Sequence, residues 1–188
     1  MNNKRLAAID ISLCAVSIAL HIILELFLTI RIGNDLKISL AALPFLIIAF
    51  VCGPLEGLIS GLVGTFLSQL LTFGITITTP FWVLPYAIQA LTAGLIFRAF
   101  KRKITVRNIG VSVFLGGLAG VVVTWFASYF DGVVFFKYMT LEALIALIPI
   151  RLLVWLGLSI VYTAICYAVT RALRKQLGVI HKPAEKAS

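Results

Sequence analysis

Five side chains in this sequence raise a chemical question because each stands within a run of apolar residues: His21, Glu25, Gln69, Gln89 and Arg151. Polar and ionisable groups in such runs are expensive to keep, and where they occur they mark binding sites, proton relays or ion pairs. His21 and Glu25 are spaced i, i+4 and share a helix face, a geometry able to hold a metal ion or pass a proton. Trp82, Tyr86 and Gln89 follow i, i+4, i+7 and place two aromatic rings and an amide on one face. Trp125 and Tyr129 form another i, i+4 pair, and Arg151 is followed four residues later by Trp155. A guanidinium matches a carboxylate bidentately, and indole and phenol rings stack on flat ligands. No His-Glu-x-x-His, Gly-x-Ser-Gly, paired intramembrane aspartates or Gly-x-x-x-x-Gly-Lys-Ser/Thr loop is present, so neither a catalytic residue nor a nucleotide-phosphate cradle is assigned. Cys14, Cys52 and Cys166 form no Cys-x-x-Cys and read as small apolar residues. No metal ligand set or cofactor site is expected.

The elements that carry these residues follow from composition. The chain of 188 residues is 61% hydrophobic and 12% charged, with a mean hydropathy of +1.09. That excludes disorder, coiled coil and a disulfide-stapled module, and argues against a soluble enzyme, which needs more polar surface. The expectation is an all-α integral membrane protein, a single transmembrane domain over residues 1–188 with about six helices in one bundle. The apolar segments are Ile11–Ile30, Ile38–Val51, Leu58–Phe73, Phe81–Phe97, Ile109–Phe126 and Ala143–Val169. Several fall short of the roughly 20 residues needed to cross hydrocarbon. His21 and Glu25 interrupt the first segment, which reads as a retained span rather than a signal peptide.

Lysine and arginine placement sets the orientation. With six spans, one side holds 12 basic residues: Lys4, Arg5, Arg98, Lys101, Arg102, Lys103, Arg107, Arg171, Arg174, Lys175, Lys182 and Lys186. The other holds three: Arg31, Lys37 and Lys137. Both termini are therefore expected to be cytoplasmic. The net charge of +9 reads as topology and contact with the lipid bilayer, not as a nucleic-acid site. The outward connections, Arg31–Lys37, Gly74–Pro80 and Ala127–Glu142, are longer than the tight inward turn Gly53-Pro54-Leu55-Glu56-Gly57. The stretch Ile75–Thr79 reads as extended or coil.

Depth then unites the polar residues. At 1.5 Å per residue, Glu25 lies about 8 Å below the outer end of its span, with His21 one turn deeper. Gln69 lies about 6 Å below its helix end, and Arg151 about 12 Å below the start of the last segment. Five helices thus bring Glu25, Gln69, Trp82, Tyr86, Gln89, Trp125, Tyr129, Arg151 and Trp155 to one outer layer. That convergence suits a small-molecule pocket beneath the long loops. Each residue also has a plainer role open to it. Trp82 and Tyr129 could be interfacial belt residues, Glu25 and Arg151 could pair with each other, and Gln69 and Gln89 could bridge helices. In the inner half, Ala15 and Ala19 on the first span, Gly57, Gly61 and Gly64 on the third, and Gly116, Gly117 and Gly120 on the fifth offer close helix approach, within the bundle or to another subunit.

Lys37-Ile38-Ser39 through Pro44, the Gly53-Pro54-x-x-Gly57 turn with its Gly-rich third helix ending in Ser68-Gln69, Ala15-xxx-Ala19, and Pro149 with Arg151 give the sequence a family likeness. It resembles the substrate-binding S components of energy-coupling factor (ECF) vitamin transporters. The resemblance covers most of the chain and implies a six-helix bundle in the bacterial plasma membrane, with a vitamin site near the outer face gated by the loops after the first, third and fifth helices. It implies as partners a transmembrane coupling subunit, contacted through Ala15 and Ala19, and two cytoplasmic ATPases that hold the ATP. The ligand expected is of pyridoxine or hydroxymethylpyrimidine type, with pantothenate or folate close behind through Arg151; biotin and thiamin are less favoured. The competing classes are a stand-alone proton-coupled carrier using Glu25 and an intramembrane enzyme.

Overall fold

A backbone in hydrocarbon has no water to bond, so apolar sequence of this length satisfies its amides internally, as helix. The computed structural model, which describes residues 3–32 and 36–180, runs α1 (Asn3–Phe27), a hairpin of β1 (Ile30–Ile32) and β2 (Leu36–Ile38), α2 (Leu43–Val51) and α3 (Pro54–Phe73). It continues with α4 (Thr79–Ala99), α5 (Val106–Ser128), a π-helical turn over Tyr129–Phe135, α6 (Leu141–Ala146) and α7 (Ile148–Ile180). Lys182 and Lys186, counted above for orientation, and residues 33–35 of the first outward connection lie outside the described residues.

Among the described residues, five stretches are long and apolar enough to cross a membrane: Ala8–Phe27, Pro54–Phe73, Thr79–Ala99, Val106–Phe135 and Leu141–Gln176. The second expected span, Ile38–Val51, is different. Ile38 ends a strand, and the helix that follows has only nine residues, about 14 Å of rise. α2 instead fills the middle of the bundle, packing on α1, α3, α4 and α7, with Phe45, Leu46 and Phe50 fully buried. Around it α1, α3, α4, α5 and α7 pack in sequence, and Ile11, Leu71, Leu153 and Ile160 point outward as a lipid-facing surface requires.

Three local features differ from the sequence expectation. The first outward connection is an antiparallel hairpin, pairing Ile30 with Ile38 and Ile32 with Leu36. The third is mostly helical: α5 runs on into the π turn before α6 is capped by the Thr140 hydroxyl accepting from the Ala143 amide. The last segment breaks at Leu147, because Pro149 brings no amide hydrogen to continue the ladder. Arg151 therefore stands about 4–5 Å inside the start of α7 rather than deep in one long helix.

The glycines serve packing inside the bundle. A Cβ at Gly61 would meet the Ala87 Cα at 2.8 Å, and one at Gly57 the Ala49 Cβ at 2.7 Å, which locks α3 against α4 and α2. Ala15 and Ala19, by contrast, lie exposed on α1. At the end of the bundle opposite the hairpin, Arg174 of α7 donates to the carbonyls of Phe50, at 2.6 Å, and Arg102, at 3.1 Å. It thereby ties the end of α2 and the α4–α5 turn to α7. Nearby, burial pushes the Cys52 thiol up to about 12, with Asp10 adding to the shift, so it stays protonated. No cluster of three His, Cys, Asp or Glu residues able to hold a metal occurs among the described residues.

Candidate functional site

At the hairpin end of the bundle the helices part around a cavity of about 600 Å³, within the size range of small-ligand sites. Helix rise sorts its walls by depth. The mouth is formed by Thr72, Phe73 and Thr76 at the α3–α4 connection, Trp82 near the start of α4, and Asp131, Phe136 and Tyr138 from the π turn and its exit. Below it stand Glu25, Lys37, Gln69, Tyr86 and Arg151. The floor is made by Thr65 and Ser68 of α3, Gln89 of α4, Gly117 and Gly120 of α5, and Trp155 of α7.

Two glycines create the floor's shape. A Cβ at Gly117 would run into Trp155 Nε1, and one at Gly120 would approach the Gln89 Cβ at 3.1 Å. α5 thus gives up side-chain volume so that an indole and an amide can face the cavity. Trp155 packs its ring on Phe114, with centroids 4.4 Å apart.

The charged layer centres on Glu25. Its Oε1 takes the Lys37 ammonium at 2.5 Å; Oε2 receives longer contacts from Ser39 and Thr29 at 3.4 and 3.5 Å. Lys37 also stands 5.2 Å from the centroid of Tyr86. Because Lys37 lies on β2 and Glu25 near the end of α1, the pair fastens the hairpin to the bundle beside the cavity. Tyr162 of α7 reinforces this corner by donating to the Ser39 carbonyl at 2.5 Å. Arg151 Nη1 donates to the Ser128 hydroxyl at 3.1 Å, which orients the guanidinium on the cavity wall. At the mouth the Tyr138 hydroxyl donates to Asp131 at 2.9 Å, and Phe81 stacks on Phe130 at 4.6 Å, holding the π turn against α4.

Of the nine residues picked from sequence, Glu25, Gln69, Trp82, Tyr86, Gln89, Arg151 and Trp155 line this one cavity. Trp125 and Tyr129 do not; their rings stack on each other 6.2 Å apart, beside it. His21 is fully buried behind the wall, Nδ1 on the Ala41 carbonyl and Nε2 on Ser68, with its ring against Phe45 and Tyr86. The ion pair that Glu25 makes is with Lys37, which the sequence marks as an orientation charge and as the start of a family-like motif but not as the partner of Glu25. The signal was available: a carboxylate inside a span calls for a cation within reach. Tyr162 was missed as well, although Arg151, Trp155, Leu158 and Tyr162 recur at helical spacing and all line the cavity. Asp131 and Tyr138 were hidden because their stretch reads as a loop.

Comparison with known proteins adds to this geometry. Over residues 10–171 the sequence matches the profile of the family described as ECF transporter, substrate-specific component. No curated protein matches it. Among solved structures, ThiT from Listeria monocytogenes superposes with a TM-score of 0.68 at 23% identity, covering 92% of this chain and 98% of that one. A structure described as the S component of a bacterial ECF transporter gives a TM-score of 0.52 at 17% identity, covering 94% and 99%. At these identities the likeness is one of fold.

Proposed function

The chain belongs to the family of ECF transporter substrate-specific components, multi-pass proteins of the bacterial plasma membrane, and from that premise we propose that it captures a water-soluble vitamin in the cavity at the hairpin end. In this reading the cavity faces outward, since the 12 to three imbalance of basic residues puts the opposite end in the cytoplasm. A transmembrane coupling subunit docks on the exposed Ala15–Ala19 face, and two cytoplasmic ATPases supply the energy for release inward.

The observation that carries the proposal is the composition of the cavity wall. Trp82, Tyr86 and Trp155 offer flat surfaces for a ring, while Gln69, Gln89 and the α3 hydroxyls offer donors and acceptors around its edge. This fits a ligand of pyridoxine or hydroxymethylpyrimidine type. Arg151 supports a second reading, pantothenate or folate, because its guanidinium on the wall suits a carboxylate.

Titration of the purified protein with pyridoxine, hydroxymethylpyrimidine, pantothenate and folate, followed by tryptophan fluorescence, tests both. Saturable one-to-one binding of a ring compound that survives Arg151→Ala supports the first reading. A loss of at least about tenfold for a carboxylate ligand, the scale of one charge-assisted bond, supports the second. Absence of binding by all four overturns the proposal.

A further inference from the structure

The end of the bundle away from the cavity gathers positive charge that the chain leaves uncompensated. Three of the membrane-length stretches, Thr79–Ala99, Val106–Phe135 and Leu141–Gln176, begin or end there. Arg174 draws their ends together, because its guanidinium donates across to the Arg102 carbonyl at 3.1 Å. The turn Lys101-Arg102-Lys103 and the α7 residues Arg171 and Lys175 therefore flank one place, and all five are exposed. Residues 98–109 and 148–180 contain no Asp or Glu. Glu56 and Arg102 both approach Gly53 but do not pair with each other; the one ion pair among the described residues, Lys37–Glu25, lies at the other end. Arg171 spends one donor on the Tyr167 hydroxyl at 3.0 Å and keeps the rest. Like charges held this close repel one another, and an anion from outside the chain relieves them.

The backbone of the turn points the same way. Lys101 and Arg102 both take the left-handed conformation, with φ of 52° and 53°. Crowding at Cβ makes that conformation unfavourable for long side chains, and glycine is its usual occupant. Such strain concentrates where the side chains themselves are needed. Around the cations, Leu95, Phe100 and Val106 are exposed apolar residues, so the charge borders a lipid-facing surface. We propose that the turn 101–103 and the end of α7 form a headgroup site for an anionic phospholipid. The cations hold the phosphate, and the apolar residues beside them hold the upper acyl chains. A soluble phosphate would use the charges alone; the apolar border selects the lipid. Composition implies contact with the bilayer as a whole, whereas this site confines it to one junction of three helix ends. It is separate from the cavity and stands whether or not the cavity binds a vitamin.

Native mass spectrometry of the detergent-purified protein, mixed with equal amounts of dioleoyl phosphatidylglycerol and dioleoyl phosphatidylcholine, reads the preference. The wild type should retain phosphatidylglycerol over phosphatidylcholine by at least about tenfold. Lys101→Gly combined with Arg102→Gly should remove most of that preference, at about fivefold per charge lost. Arg171→Gln combined with Lys175→Gln should do the same from the α7 side, and it decides the matter should the glycine variant fail to fold. Arg31→Gln combined with Lys137→Gln removes equal charge from the cavity end and should leave the preference unchanged. Equal retention of the two lipids by the wild type overturns the site and leaves these cations to an acidic protein surface or to orientation alone. A loss as large in the cavity-end variant overturns it too, since net charge would then be sufficient. Displacement of the lipid by an equal concentration of glycerol 1-phosphate would make the ligand a soluble phosphate and overturn the lipid assignment.

Discussion

Replacing Lys37 by Met should destabilise the ligand-free protein, by an amount that the surroundings of the pair determine. Removing one partner of a fully buried ion pair typically costs about 3–5 kcal/mol, whereas an exposed pair contributes about 0.2–1 kcal/mol. This pair is asymmetric: Glu25 is 7% exposed and Lys37 39%. Water therefore screens the cation while the carboxylate stays desolvated. What remains for Glu25 after the change is weak support, since the Ser39 and Thr29 hydroxyls stand 3.4 and 3.5 Å away. The loss should fall between the two limits, about 2 kcal/mol. For a chain of this size that corresponds to a drop of roughly 4–8 °C in melting temperature. Thermal unfolding of the detergent-purified protein, followed by tryptophan fluorescence, measures it. Adding Glu25→Gln to Lys37→Met should restore most of the loss, because no buried charge is then left alone. A melting temperature unchanged in the single variant, or a double variant no more stable than the single, would refute the assignment of this pair as the fastening of the hairpin.

Other expectations follow from the same geometry. Gly117→Ala should force Trp155 from the cavity wall, shift the intrinsic fluorescence and reduce ligand affinity by at least about tenfold, with a smaller effect on stability because the indole lies at the cavity edge. Arg174→Ala removes donors to the Phe50 and Arg102 carbonyls, one of them at the end of the buried α2, and should lower the melting point by roughly 3–6 °C without changing ligand affinity. Ala15→Trp and Ala19→Trp alter an exposed face remote from the cavity, so ligand titration should match the wild type while uptake in cells carrying the complete transporter falls. Loss of binding in those two variants would instead place that face inside the working bundle.

The sequence disclosed the helical bundle because its signals are strong and local: apolar runs, Gly-Pro punctuation and one-sided basic residues. It disclosed much of the cavity lining because polar groups in hydrocarbon are rare enough that Glu25, Gln69, Gln89 and Arg151 stand out one by one. The unreadable part depended on tertiary placement. Nothing local shows that Lys37 turns back on a hairpin to reach Glu25, or that the stretch after Ser128 winds as a π turn and delivers Asp131 and Tyr138 to the mouth. Trp125 and Tyr129 have the spacing of a shared face, yet that face points beside the cavity. The register of α5 is set by Gly116, Gly117 and Gly120, which must turn inward to admit neighbours. α2 carries the chain from the hairpin end back to the opposite end as the second of the six expected passes, but composition alone does not show that it does so enclosed by the other helices rather than facing lipid.

Uptake into proteoliposomes gives the sharpest discrimination between an energy-coupled capture subunit and a self-sufficient carrier. The vesicles hold either this chain alone or the chain with its coupling subunit and ATPases, and the radiolabelled vitamin identified by titration is followed under ATP or a proton gradient. Binding without net uptake by the chain alone, together with ATP-dependent accumulation by the complete assembly, is the expected result. Accumulation by the chain alone, driven by the proton gradient and abolished by Glu25→Gln, would contradict it and make this protein a carrier in its own right.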